Sequence, residues 1–561
     1  VARVLGLADH AVTCEVRRMG GAFGGKESQA ALIAAVPALA AWITGRPAKL
    51  TLDRDDDMVL TGKRHEVRID YRVGFDETGV IQGIVFDQAV RCGYSADLSS
   101  SIADRAMFHA DNTYSLKNAL IRSRRLKTNS VSNTAFRGFG GPQGMLGIEH
   151  VMDEIAFAVG RDPLDVRRDN LYGGENGLTT PYHMQVADNI APELIAELET
   201  SSHYRARRKA VEAFNAENPV LKKGIALTPV KFGISFTTTH LNQAGALVHV
   251  YKDGSVHLNH GGTEMGQGLF VKVAQVVAEE FQIDIGKVKI TATTTAKVPN
   301  TSPTAASSGS DLNGMAARNA ARTIKQRLIA FAGEKYKVPE DQVVFLPNRV
   351  RIGNEERSFA ELVSEAYFAR ISLSSTGFYR TPDIHYDRET ASGTPFFYFA
   401  YGAACSEVVI DTLTGEYRVL RVDILHDTGK SLNQAIDLGQ IEGGYIQGLG
   451  WLTTEELVWD DEGRLRTHAP STYKIPTAGD RPDMRIAIWD KGENRAETIY
   501  RSKAVGEPPF MLAISAFSAL SQAVIAAGDG KAFAELDAPA TPERILLAVE
   551  KAKAKSQGKS G

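Results

Sequence analysis

The 561-residue chain has few cysteines, little net charge and no long apolar run, and each shortage argues against a class of protein. Cys14, Cys92 and Cys405 are far apart and form no C-x-x-C pair, which argues against a zinc ribbon, an iron–sulfur cluster or a disulfide framework. The 64 basic and 67 acidic residues leave a net charge of −3, so nothing indicates a nucleic-acid or acidic membrane surface as a partner. No run approaches the ~18–20 apolar residues of a membrane span. We therefore expect a cytoplasmic globular protein.

Familiar catalytic motifs are also missing. There is no H-E-x-x-H and no G-x-S-x-G, which removes the simplest zinc-protease and α/β-hydrolase interpretations. Gly20–Lys26 spells G-x-x-x-x-G-K, but Glu27 follows where a P-loop needs Ser or Thr to hold Mg²⁺. Arg137–Gly144 lacks the spacing of a dinucleotide-binding fingerprint. A P-loop nucleotide-binding protein and a non-catalytic scaffold are kept as alternatives.

Glycine, in contrast, is abundant and clustered, with 51 residues in the chain. Each cluster stands before an apolar pattern of helical spacing, so we predict loops that lead into helices. Such loops let backbone N–H groups approach an anion at a helix start, and several together would wrap an extended phosphate-bearing cofactor. Gln267 and Gln447, each inside a predicted loop, would orient that ligand through their amides. The predicted loops are Met19–Glu27, Arg137–Gly144, Gly261–Gly268, Thr301–Gly309, Gly443–Gly448 and Gly506–Pro509.

Strand patterns and helical patterns alternate irregularly between these clusters. This favours an α+β fold over a doubly wound parallel sheet. A charged helical pattern followed by the turn Glu217–Pro219 indicates a boundary near residue 215. We therefore divide the chain into 1–215, 216–545 and a flexible tail, 546–561, whose last residues are rich in Lys, Ser and Gly.

Five ordered segments resemble the molybdopterin-binding large subunit of the xanthine dehydrogenase/oxidase family of molybdenum hydroxylases. The resemblance extends along nearly all of residues 1–530, and its segments are Met19–Glu27, Ala135–Gly144, Gly261–Gly268, Thr301–Ser308 and Gly506–Pro509. It implies two elongated mixed α/β subdomains with the cofactor between them, formed by 1–215 as the remainder of the first and 216–545 as the second. It also implies that the first subdomain extends upstream of Val1.

The resemblance further implies a cofactor, partners and a reaction. The cofactor would be molybdopterin, whose molybdenum carries oxo, sulfido and hydroxide ligands and is held by the pterin dithiolene, with no direct protein ligand. A separate small subunit would carry 2Fe–2S clusters and FAD and pass electrons to NAD, in a dimer of heterodimers. The reaction would oxidise hypoxanthine to xanthine and xanthine to urate with oxygen derived from water.

Individual roles carry over from the family to matching positions. Glu507 matches the general base that takes the proton from the attacking oxygen, a task that typically contributes ~10²–10⁴-fold to the rate. Glu27 and Arg105 match the catalytic pair that hydrogen-bonds a purine at its two ends, with Arg105 stabilising charge on the substrate oxygen. The remaining predicted substrate contacts are the two rings that sandwich a flat substrate, Phe139 and Phe236, together with Thr237 and Ala305.

A larger set matches the family's cofactor contacts, of which Phe23, Arg137, Gln267 and Ala306 are expected nearest the metal. Other branches of the family fit less well. An aldehyde or other N-heterocycle hydroxylase is disfavoured by Glu27 with Arg105, and the carbon monoxide-oxidising branch carries a cysteine that the loop Arg137–Phe139 lacks. The full set of predicted cofactor contacts is Phe23, Gly24, Arg137, Met265, Gly266, Gln267, Thr304, Ala306, Ser307, Ser308 and Gln447.

Overall fold

The computed structural model describes residues 1–297 and 300–558 of the chain. In these residues helices and strands alternate irregularly, and the sheets contain both antiparallel and parallel pairs. The prediction of a mixed α and β fold is confirmed.

The helices are, in chain order, α1 (Ala2–Leu5), α2 (Ala30–Thr44), α3 (Arg54–Leu60), α4 (Ser99–Phe108), α5 (Gly141–Val159), α6 (Pro163–Asp169), α7 (Ala191–Ser201), α8 (Tyr204–Glu217), α9 (Leu269–Phe281), α10 (Gly309–Tyr336), α11 (Phe359–Phe368), α12 (Gln434–Thr453), α13 (Ile514–Ala527) and α14 (Pro542–Ser556). The strands are β1 (Glu15–Val16), β2 (Val67–Phe75), β3 (Ile81–Gly93), β4 (Ala119–Lys127), β5 (Leu221–Ile234), β6 (Gln243–Val250), β7 (Val256–His260), β8 (Val288–Ile290), β9 (Thr293–Thr294), β10 (Val343–Leu346), β11 (Arg349–Ile352), β12 (Glu355–Ser358), β13 (Ser374–Arg380), β14 (His385–Asp387), β15 (Ser392–Thr394), β16 (Tyr398–Asp411), β17 (Tyr417–Asp427) and β18 (Asp483–Trp489).

A four-stranded sheet of order β18-β17-β16-β5 is shared by two hydrophobic cores. Strands β5 and β16 pair antiparallel along their whole length, from Leu221 opposite Asp411 to Ile234 opposite Tyr398. Successive side chains of a strand point to opposite faces, so each strand supplies both cores. Helices α12 and α13 cover one face, and α7 with part of α5 covers the other. Because both faces are covered, β5 is buried from its fourth residue onward.

A second four-stranded sheet, β13-β6-β7-β8, forms a separate core with α9 and α10. Residues Pro508–Ala513 form a 3₁₀ helix that runs directly into α13. By length and composition Pro508–Ala527 could cross a membrane, but 89% of its most apolar window is buried inside the protein, so it is a core element.

The glycine cluster Gly443–Gly448 lies inside α12, so its prediction as a loop before a helix was wrong. A Cβ atom at Gly448 would collide with the carbonyl oxygen of Phe510, and one at Gly444 would collide with Pro509. These glycines therefore allow α12 to pack closely against the 3₁₀ helix. Glycine in a helix interior costs about 1 kcal/mol relative to alanine, but only glycine allows this close contact.

The C-terminal segment also differs from the sequence-based expectation. Residues 546–556, predicted as part of a flexible tail, continue helix α14. Ala548, Val549 and Ala552 are buried against the core that includes α13, and this apolar stripe holds the helix in place. The end of the predicted tail, 559–561, lies outside the described residues.

Candidate functional site

The predicted site residues converge on one cavity of about 820 Å³. Its wall is built from segments that are distant in sequence: the 19–27 and 136–139 loops, the loops before α9 and α10, one face of α12 and the segment 502–507. Convergence of the glycine-rich segments is therefore a feature of the fold. The predicted residues that line the cavity are Phe23, Gly24, Glu27, Arg137, Phe139, Met265, Gly266, Gln267, Thr304, Ala305, Ala306, Ser307, Gln447 and Glu507.

Four predicted residues lie behind this wall. Arg105 is fully buried, and its guanidinium donates to the carbonyl oxygens of Ser235, at 2.8 Å, and Gly233. Phe236 and Thr237 directly follow these carbonyls and are buried with them. Ser308 precedes α10 and donates to the carbonyl of Ala305 at 3.2 Å. These four residues are buried and are not among those that line the cavity.

Glu507 lies on the cavity wall with both carboxylate oxygens engaged. One oxygen accepts a hydrogen bond from the backbone N–H of Gly138 at 3.2 Å, and the other accepts from the Ser307 hydroxyl at 2.8 Å. Pro508 follows Glu507 directly and begins the 3₁₀ helix, and its ring fixes its own φ angle. The side chain is only 8% exposed, so its orientation is set by the protein.

Several non-glycine residues on the wall have a left-handed backbone. Phe23, Phe139, Ala306 and Ser307 have φ between 50° and 55°. This conformation is uncommon outside glycine and is concentrated at functional sites, where packing enforces it. All four residues line the cavity.

Glu27 is half-buried because one side of its carboxyl borders the cavity while protein surrounds the other sides. Burial raises the pKa of this carboxyl to about 8, and the nearby charges of Glu507 and Asp97 add to the increase. The guanidinium of Arg105 opposes it without cancelling it. At neutral pH Glu27 is therefore mainly protonated and can donate a hydrogen bond into the cavity.

Arg137 joins three parts of the wall. Its guanidinium donates to the carbonyl of Gly506, next to Glu507, to the side-chain oxygen of Gln447 at 3.3 Å and to the carbonyl of Gln440 at 3.1 Å. Burial lowers the pKa of Arg137 to about 10, while the charge of Glu507 opposes this change. It therefore stays cationic at neutral pH and holds the 136–139 loop, α12 and the 502–507 segment together.

Sequence reasoning missed other ionisable groups on the cavity wall. Asp311 is on the wall and accepts from the Tyr398 hydroxyl at 2.7 Å, and burial raises the pKa of its carboxyl to about 7. Lys272 pairs with Asp437, both also on the wall. Asp311 stands in the first turn of α10, where a carboxylate is ordinary, so no local signal distinguishes it.

Part of the wall offers the flat, open surface that a planar cofactor needs. Gly439, Gly443 and Gln447 recur every four residues on one face of α12, and a Cβ at either glycine would meet no atom within 4 Å. Gly266 is equally open at φ 98°. The wall thus offers flat, side-chain-free surface beside the fixed amides of Gln267 and Gln447. Within residues 1–297 and 300–558, no group of three or more His, Cys, Asp or Glu could hold a metal ion.

Comparison with known proteins agrees with this geometry. Two matches to the molybdopterin cofactor-binding domain cover residues 1–171 and 197–482. The chain is 49% identical over 552 residues to xanthine dehydrogenase/oxidase of Mus musculus, covering 97% of this chain and 40% of the relative, and 45% identical over 559 residues to xanthine dehydrogenase of Oryza sativa subsp. japonica, covering 98% and 39%. It therefore spans about two-fifths of these relatives.

Solved structures share the fold. Quinoline 2-oxidoreductase from Pseudomonas putida 86 superposes with a TM-score of 0.87 at 23% identity, covering 98% of this chain and 70% of that one. Aldehyde oxidoreductase from Desulfovibrio gigas superposes with a TM-score of 0.81 at 25% identity, covering 98% and 56%. With two domain matches over most of its length, the chain belongs to the molybdopterin cofactor-binding domain family.

Proposed function

We propose that this chain is the molybdenum-binding part of a purine hydroxylase that converts hypoxanthine to xanthine and xanthine to urate. The observation that carries the proposal is the pairing, on one cavity wall, of a rigidly held carboxylate, Glu507, with a second carboxyl that is protonated at neutral pH, Glu27. A carboxyl held by two donors and a carboxyl whose pKa is raised can serve one substrate as proton acceptor and hydrogen-bond donor. Sequence similarity to xanthine dehydrogenase/oxidase supports the choice of purine.

Molybdopterin, when bound, supplies the two-electron oxidation and the site at which water-derived oxygen is activated. Cofactor contact is assigned to the open face of α12, the 265–267 turn and residues 304–307, with Ser308 directly behind them. Glu507 accepts the proton of the attacking oxygen, and its fixed orientation removes the need to order it during the reaction. Glu27 donates to a ring nitrogen, and Phe139 contacts the face of the substrate ring.

Arg105 contributes from behind the wall. Its positive charge interacts electrostatically with the carboxyls of Glu27 and Glu507, and its guanidinium lies 4.5 Å from the centre of the Phe232 ring. Because two of its nitrogens donate to backbone carbonyls, we assign it a role in stabilising negative charge in the cavity at a distance. We also assign a substrate-binding role to Phe236 and Thr237, which directly follow the carbonyl of Ser235 that Arg105 contacts.

Electrons must leave the site after each oxidation. We infer that 2Fe–2S clusters and FAD on a partner subunit receive them and pass them to NAD, in a cytoplasmic dimer of heterodimers. The division into 1–215 and 216–545 is retained as a proposal, with the cavity between the two parts.

One observation favours a second candidate, an aldehyde or other N-heterocycle hydroxylase. The guanidinium of Arg105 donates to Ser235 and Gly233 and is not on the cavity wall. Of the two residues proposed to bind a purine, a substrate in the cavity would then contact only Glu27.

The deciding experiment replaces Glu507 with Gln in the cofactor-loaded enzyme purified with its natural partner. We expect urate formation from xanthine to fall by at least ~10²-fold, because a positioned base contributes about that much, while the molybdenum content stays unchanged. The control is Glu442→Gln, an exposed carboxylate on α12 that pairs only with Arg481 in the described structure. Near-normal turnover by Glu507→Gln, or no xanthine oxidation by the parent, would refute the proposal.

A further inference from the structure

Arg64 stands between two elements that hold Glu507, although no motif marks it. Its guanidinium donates to the carbonyl oxygen of Arg137 at 2.9 Å and lies 3.5 Å from that of Phe136. On its other side the guanidinium carbon is 4.4 Å from the centre of the Phe510 ring and 5.5 Å from that of Trp451. It therefore contacts both the 136–139 loop and the 3₁₀ helix that follows Glu507.

The contact with the Arg137 carbonyl reaches Glu507 through a single peptide group. A peptide unit is planar and trans, so the C=O of Arg137 and the N–H of Gly138 point in opposite directions from one rigid plane. Arg64 donates to the oxygen of this unit, and the N–H of the same unit donates to the Glu507 carboxylate at 3.2 Å. A cation on the carbonyl side polarises the peptide and strengthens the hydrogen bond that its N–H makes.

The second contact supports the same carboxylate from its own segment. Phe510 donates its backbone N–H to the carbonyl of Glu507 at 3.0 Å, and its ring carries the Arg64 guanidinium. A guanidinium stacked on an aromatic ring and hydrogen-bonded in its plane has little freedom to turn. Arg64 thus fixes the distance between the donor loop and the segment that bears the acceptor.

We infer that Arg64 is a positioning residue for Glu507, acting through the peptide group between Arg137 and Gly138 and through the Phe510 ring. The inference rests on the proposed function, in which Glu507 is the base. Arg64 itself is not on the cavity wall and touches no proposed substrate contact in the described structure.

The test is Arg64→Met, measured for xanthine oxidation in the cofactor-loaded enzyme. Methionine retains apolar packing on the rings but removes the donor and the charge. We expect kcat to fall about 10- to 100-fold with KM within about twofold, because misplacement of a catalytic group by an ångström costs up to ~10²-fold. Arg64→Lys, which retains a charge and one donor, should recover part of this loss. Arg91→Met is the matched control, since Arg91 also lies over an aromatic ring, that of Trp459 at 5.0 Å, and neither residue lines the cavity.

A double substitution separates positioning from general support of the fold. If Arg64 acts through Glu507, adding Arg64→Met to Glu507→Gln should leave the residual rate unchanged within about twofold, whereas a merely structural role would lower it again. A crystal structure of Arg64→Met should show the Gly138 nitrogen and the Glu507 carboxylate separated beyond hydrogen-bond distance.

The outcomes distinguish the two proposals. Loss of activity in Glu507→Gln with a normal kcat in Arg64→Met overturns the role of Arg64 alone. Normal activity in Glu507→Gln overturns the proposed base first. If Arg64→Met fails to fold, Arg64→Gln decides, since it removes the charge and the planar guanidinium, and an unchanged kcat in that variant overturns the inference.

Discussion

Ser307 and Glu507 exchange two hydrogen bonds on the cavity wall. The backbone N–H of Glu507 donates to the Ser307 hydroxyl at 2.8 Å, and the same hydroxyl donates to the Glu507 carboxylate at 2.8 Å. A hydroxyl has one hydrogen and two acceptor lone pairs, so this arrangement commits its hydrogen to the carboxylate. The pair fixes the rotamer of Glu507 through its own backbone, and the left-handed conformation of Ser307 places the hydroxyl there.

Replacing Ser307 with Ala removes this restraint. We expect kcat for xanthine to fall about 10- to 100-fold, since a hydrogen bond to a charged group contributes ~1.5–3 kcal/mol, with little change in KM. Steady-state rates normalised to molybdenum content measure the effect. Ser358→Ala, which removes the hydroxyl that caps α11 far from the cavity, should leave kcat unchanged. A normal kcat in Ser307→Ala would mean that Glu507 is oriented without it.

Glu27 predicts a pH dependence of substrate binding. The protonated carboxyl donates a hydrogen bond below its pKa of about 8 and loses that proton as the pH rises above it. We therefore expect KM for xanthine to increase between about pH 7 and pH 9. Glu27→Gln keeps a donor at every pH, so its KM should lack this increase. KM measured across the range for both proteins checks the prediction, and parallel curves would contradict it.

The same carboxyl affects stability in the opposite sense to an ordinary surface glutamate. Its pKa is raised by folding, so the folded protein binds the extra proton and stability decreases as the pH rises toward about 8. Thermal unfolding of the cofactor-free protein should show a smaller decrease over this range in Glu27→Gln than in the parent. An identical decrease in both proteins would show that folding does not raise the pKa of Glu27.

Much of the site could be predicted because its parts are short, ordered segments with unusual composition. The turns around Gly24 and Gly266 need glycine for φ near +100°, and such positions leave a strong signal in the sequence. The convergence of these turns could be inferred from their shared chemistry. In contrast, Gly444 and Gly448 belong to a similar glycine cluster but lie within helix α12, because their requirement is close packing against the 3₁₀ helix, which depends on the partner element.

The remaining features depend on contacts between distant segments. Arg105 is held away from the cavity by hydrogen bonds to the carbonyls of Gly233, in β5, and Ser235, just after β5, and nothing near Arg105 in the sequence indicates this. Arg64 is one basic residue among several, and its role follows only from its position against Phe510. Pairings of this kind are settled by packing across hundreds of residues, which local patterns do not encode.

Glu27 and Arg105 together predict substrate preference. Glu27→Val with Arg105→Met removes a hydrogen-bond donor from the wall and a charge from behind it. In the proposed function a purine uses the first for binding and the second for stabilising negative charge, so we expect kcat/KM for xanthine to fall at least ~100-fold, or about 2.7 kcal/mol. The rate with an aromatic aldehyde should change much less. Equal losses with both substrates would show that the pair maintains the structure of the site and does not select purines.

The two kinds of glycine in α12 should respond differently to an added side chain. Gly448→Ala places a methyl group against the Phe510 carbonyl, so we expect a loss of about 1–3 kcal/mol in stability and a lower unfolding temperature. Gly443→Ala meets open space and should be neutral or slightly stabilising, because alanine favours the helix. Thermal unfolding of both variants checks this contrast.

Gly443→Leu extends the test to the cofactor. Its side chain would project into the space beside Gln447, where the flat face of α12 is proposed to receive molybdopterin. We expect the folded protein to retain its unfolding temperature without cofactor but to lose most of its molybdenum, measured by elemental analysis after purification with the natural partner. Leu221→Ala, at an exposed position at the start of β5, serves as a control for handling losses. Full molybdenum loading of Gly443→Leu would place the cofactor on another part of the wall, because a leucine cannot share the volume that a bound pterin fills.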